Sequence, residues 1–137
     1  MNPRSVAEYC SGLSFFQLQD FAGQNYNKVY NYIESIAEGN ANTLLVSTIF
    51  TCIASDGKLS EKEWDFIKQF IGGYSYDEAF ETGNQFYNEE AQDIVRKLVR
   101  QFPMGVKEAY LSLCIAVLAV DENFHSDEVD FLNWIIG

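Results

Sequence analysis

The strongest constraint on this chain is that it carries one pattern twice. The stretch from Phe50 to Phe66 aligns without a gap on the stretch from Ile115 to Phe131. In each copy an apolar run ends at an Asp, a short polar break follows, and a Glu opens a second apolar run. Asp121 and Glu128 each stand 65 residues after their counterparts, Asp56 and Glu63. Such a repeat predicts a duplicated helix-corner-helix unit with carboxylates at matching corners.

The remaining apolar spacing is helical nearly throughout. Val29, Ile33 and Ile36, with Tyr30 and Tyr32, form an amphipathic segment that stops at Gly39-Asn40. Residues 42–55 and 106–120 are apolar almost all round, as central helices covered by others must be. Trp64, Ile67, Phe70 and Ile71 make the stripe of the helix after the first corner. Ile94, Val95, Leu98, Val99 and Phe102 make another, ended by Pro103, and Phe131, Leu132, Ile135 and Ile136 line the last. Gly72-Gly73 and Gly83-Asn84 flank a short acidic helix near residues 76–82. No alternating run of strand length occurs and no Ser/Gly-rich linker divides the chain. A hydrophobic content of 47% argues against disorder. The expected fold is all-α: one domain over residues 1–137, a bundle of about seven helices.

The net charge of −11 argues against a nucleic-acid partner, since phosphate binding needs a basic footprint. It suits a cationic partner, a divalent ion or simple solubility. Cys10, Cys52 and Cys114 form no Cys-x-x-Cys pair, and the latter two sit inside apolar runs, as reduced, buried thiols do. The first residues lack the apolar region of a secretory signal. The longest apolar run, Ala109–Val120, falls short of the ~20 residues that span a bilayer. A cytoplasmic protein is expected.

The corners admit two readings. In the first corner, Asp56-Gly57 reads as a helix C-terminus, and Ser60 with Glu63 as a capping box in which each side chain reaches the other's backbone amide. In the second, Ser126 can cap, but Glu128 falls at N2 rather than N3 and cannot complete the box. The seven-residue spacing from Asp to Glu persists there regardless. Each Asp also faces the negative end of a helix dipole, at a cost of roughly 0.3–1 kcal/mol. A hard divalent cation held by Asp56, Glu63, Asp121 and Glu128 accounts for both features, because such ions take oxygen ligands.

The segment Asp56–Glu63 matches the second half of a calcium-binding EF-hand loop. The first half is absent: loop positions 1 and 3 are Cys52 and Ala54 in one copy, Val117 and Ala119 in the other. Neither corner is a self-contained calcium loop, so an ion must draw ligands from both.

An apolar helix ending in Asp, then Gly, an apolar residue and a Glu seven positions after the Asp, present twice, resembles the TerB-like tellurite-resistance domain over roughly residues 40–137. Asp56, Gly57, Leu59 and Glu63 carry the first copy. Asp121, Phe124 and Glu128 carry the second, which departs from the pattern with Glu122 in place of Gly. The resemblance implies an all-helical module whose acidic motif residues gather around a divalent metal, calcium or magnesium, in a stress-response assembly. Related domains also begin a membrane-anchored DnaJ-like co-chaperone.

Other residues carry bland readings. His125 is the only histidine, which excludes a zinc site built on several imidazoles, and reads as a loop residue. Arg96, Lys97 and Arg100 form a solvated basic face with Glu89, Glu90 and Asp93 at pairing distance along the helix. Tyr26, Tyr30, Tyr32, Tyr74, Tyr76 and Tyr87 pack at the core edge. No Gly-x-Ser-x-Gly, phosphate loop or nucleophile with an assigned base occurs, so a non-enzymatic module with a protein partner is expected. The competing expectation is an acidic inhibitor or immunity protein that binds a basic partner.

Overall fold

A computed structural model of the chain describes residues 3–39, 45, 46, 48, 49, 60–70, 75–78, 81, 89–120 and 132. Of these, 83% are helical and none lies in a strand, which bears out the all-α expectation. Six helices are counted among them, one fewer than the expected seven. Helical positions also occur at 45, 46, 48, 49, 76–78, 81 and 132.

Five helices have described ends: α1 (Pro3–Ser11), α2 (Phe15–Ile36), α3 (Glu61–Ile67), α4 (Glu89–Arg100) and α5 (Met104–Ala119). Pro3 opens α1, where a missing amide costs nothing. α2 is seeded by a capping box: the Gln17 amide donates to Ser14 Oγ at 3.2 Å, and the Ser14 amide donates to Gln17 Oε1 at 2.9 Å. Leu18, Ala22, Tyr26, Val29 and Ile33 then recur at helical spacing and are buried, with Asn25 among them. The helix closes through the Ala37 amide on the Ile33 carbonyl, and Gly39 takes a φ of 84°, open to glycine at no steric cost.

α5 is the centre. Every residue from Ala109 to Leu118 is buried, so the helix has no solvent face along that stretch. α1, α2 and α3 all pack against it. The Tyr110 hydroxyl donates to the Thr48 carbonyl at 2.8 Å, a buried link across the core to the helical segment that holds Leu45, Val46 and Ile49, all buried.

Aromatic contacts bind the rest. Phe66 packs edge-on against Phe15 and Phe70, and Phe70 stacks on Tyr26 at 5.7 Å, joining α3 to α2. Gly23 lies beside that ring, and a Cβ there would come to 3.4 Å from Phe70 Cε1, the near edge of ordinary van der Waals contact. Phe102, just past α4, meets Tyr32 of α2 and Tyr110 of α5 at edge-on angles. The α4 stripe is narrower than expected: Val95, Val99 and Phe102 are buried, but Ile94 is 63% exposed. Ile94 sits at the margin of the stripe, about 100° around the helix from the buried Val95. The described residues contain no helix long and apolar enough to cross a membrane.

Two outcomes follow. Replacing Tyr110 by Phe removes the buried hydrogen bond and should lower stability by about 1 kcal/mol, read from urea midpoints. Burial pushes the Cys10 thiol from 9.0 up to about 11, and burial followed by the neighbouring Tyr30 raises Tyr26 as well. A raised folded value means the neutral form is favoured in the fold, so this stability is present below about pH 9 and lost as pH rises towards about 11. Urea midpoints measured between about pH 8 and about pH 10.5 should therefore fall, and fall less steeply in Cys10→Ala.

Candidate functional site

Of the four carboxylates that the repeat singles out, Glu63 lies within the described residues. Asp56, Asp121 and Glu128 lie outside them, as do Gly57, Leu59, Glu122, Phe124, His125 and Ser126. What is visible is the frame: α3 begins just after the first corner, α5 runs into the second, and α3 packs on α5.

The first corner's capping box is present as the sequence spacing predicts. Ser60 is extended (φ −77°, ψ 159°), its Oγ accepts from the Glu63 amide at 3.1 Å, and its own amide donates to Glu63 Oε1 at 3.0 Å. Glu61 and Glu63 both sit in the first turn of α3, where negative charge complements the dipole. The carboxylate of Glu63 thus has a structural task.

Two further capping boxes went unread in the sequence, although the Ser-x-x-Gln/Glu signal was there. One is Ser14 with Gln17. The other is Ser75 with Glu78, in which the Glu78 amide donates to Ser75 Oγ at 3.2 Å and the Ser75 amide donates to Glu78 Oε1 at 3.2 Å. The comparison is informative. Gln17 and Glu78 lie on the surface, whereas Glu63 is only 4% exposed. A glutamine closes the same box without burying a charge, as Gln17 shows, and burying a carboxylate is costly. Closing the box does not by itself require an acid at position 63.

The other singled-out residues take structural roles. Lys97 pairs with Asp93 at 3.6 Å on the exposed face of α4, an i,i+4 contact worth only a few tenths of a kcal/mol, roughly. Tyr26 is buried, and Tyr30, Tyr32 and Tyr76 are half-buried at the core edge; Tyr74 and Tyr87 lie outside the described residues. Cys114 is buried as expected and Cys10 is buried too, while Cys52 lies outside the described residues. With its thiol held protonated, Cys10 is a poor nucleophile. Among the described residues, no three His, Cys, Asp or Glu side chains converge in a way that could hold a metal ion.

If Glu63 serves the box through an oxygen rather than its charge, Ser60→Ala should cost about 1 kcal/mol. Glu63→Gln, which keeps the acceptor, should cost no stability in the presence of EDTA; both are read from urea melts. Comparison with protein-family models, curated proteins and solved structures finds no match to this chain.

Proposed function

We propose that this chain is a non-catalytic, TerB-like helical module that binds a divalent cation, calcium or magnesium, and acts with a protein partner in a cytoplasmic stress-response assembly. Asp56, Glu63, Asp121 and Glu128 are the ligands. The observation that carries this reading is the seven-residue Asp-to-Glu spacing, kept in the second corner where it cannot serve a capping box. The burial of Glu63, in a position where glutamine would cap equally well, supports it. So does the packing of α3 on α5, which links the helix that leaves one corner to the helix that enters the other.

Affinity is modest on this reading, because each corner supplies few ligands and water completes the shell. The acidic surface supports a second reading, an inhibitor or immunity protein that docks on a basic partner, since a net charge of −11 steers such an encounter. The matched spacing favours the ion, as an inhibitor surface has no use for it.

Thermal melts with calcium or magnesium at constant ionic strength separate the two. A ligand present at ~100 Kd that binds the folded state alone adds about 2.7 kcal/mol. The parent should show this rise beyond a sodium chloride control. The double variant Asp56→Asn with Asp121→Asn should stay folded, and unharmed without the ion, since charge leaves the negative ends of two helices. Its divalent response should vanish. An equal response in variant and parent would reduce the corners to helix punctuation.

A further inference from the structure

α4 buries Val95 and Val99 and turns a different set of side chains to solvent. On its outer side Glu90, Ile94 and Lys97 recur at helical spacing, within a stripe about 60° wide. All three are exposed, Ile94 to 63%. Neither the core nor helix propensity accounts for Ile94. The core does not receive it, and a β-branched side chain is a poorer helix former than Glu, Lys or Gln.

The charges around it are ordered along the axis. Glu89 and Glu90 stand in the first turn, Lys97 and Arg100 in the last. That order complements the helix dipole, and it also makes the stripe its own complement when turned end for end. A two-fold axis through Ile94 sets Glu90 opposite Lys97 of a second copy, Lys97 opposite Glu90, and Ile94 against Ile94. A parallel arrangement would set like charges together. Lys97 already touches Asp93 one turn back at 3.6 Å, but that contact is exposed and weak, and an ammonium can take a second carboxylate. Arg96 and Arg100 are already engaged within the chain and are not needed for the contact.

We infer that α4 docks antiparallel on α4 of a second copy of this chain, with Ile94 at the two-fold axis and Glu90 paired with Lys97 on either side. Such an interface uses the same patch twice and closes at two copies. One face of a helix about 18 Å long covers far less than the ~1,200 Å² of a stable interface, so the dimer is weak and forms at high concentration. The charge of −11 on each copy opposes association everywhere else, which confines contact to the one face where opposite charges meet. This surface is separate from the acidic corners and does not depend on them.

The test is sedimentation equilibrium of the intact chain from micromolar to millimolar loading. The parent should move from the monomer mass toward twice that mass as concentration rises. Lys97→Glu and Glu90→Lys should each weaken the dimer at least about tenfold, because each sets like charges across the axis. These changes shift the net charge in opposite directions, so general repulsion cannot produce both losses. Mixed in equal amounts, the two variants should dimerise again, one supplying two acids and the other two bases. The double change, Glu90→Lys with Lys97→Glu, keeps the net charge and should restore self-association. Circular dichroism melts should show every variant folded, since both positions are exposed. A parent that stays monomeric at millimolar concentration, single variants that dimerise like the parent, or a folded double variant that stays monomeric would each overturn the proposal.

Discussion

A helix without a solvent face is the constraint on which the rest of this structure depends. From Ala109 to Leu118 every side chain of α5 is buried, so the chain must supply cover from all directions at once. α1, α2 and α3 meet this demand with amphipathic stripes, and the Tyr110 hydroxyl adds a polar tie across that core. Burial of such side chains is worth roughly 1.5–3 kcal/mol each, which dwarfs any surface ion pair in the molecule. The exposed pairs Lys68–Asp65 and Lys97–Asp93 decorate this arrangement without holding it.

Helix ends are handled by a different device. Three serines accept from the amide three residues on, and in each case the side chain at that third position returns the bond. This reciprocal geometry serves glutamine and glutamate alike, because it needs an acceptor oxygen and no charge. The burial of Glu63 therefore separates two questions that are easily merged. Its oxygen explains how α3 starts. Its charge complements the positive end of the α3 dipole.

Much of this was legible in the residues, for physical reasons. The all-round apolar composition of 106–120 permits only a central helix, and α5 is one. The Ser60–Glu63 box and the stop at Gly39 rest on local backbone chemistry, which needs no knowledge of distant partners. The misreadings lie where tertiary context decides. Ile94 belongs to an apolar stripe by spacing, yet packing leaves it in solvent. α2 runs from Phe15, although its stripe is apparent in the sequence mainly from Val29 onward, because glutamines and Gly23 dilute its first half. At the corners, spacing could suggest convergence of the carboxylates, but convergence is a property of two helices packed together and cannot be computed from either alone.

The placement of α5 also bears on how such a chain comes into being. Synthesis delivers α1 and α2 first, yet the surface against which both bury their stripes is not complete until residue 119 has been made. The earliest helices therefore wait with Val6, Leu18, Val29 and Ile33 unburied while 83 further residues are added after Ile36, at a rate of about 5–20 per second. Contacts so distant in sequence are slow to form, because loop closure precedes any gain from burial. A ribosome that stalls before α5 releases a chain with helical stripes and no core to receive them. The folding of this molecule is thus decided late, by its most hydrophobic segment.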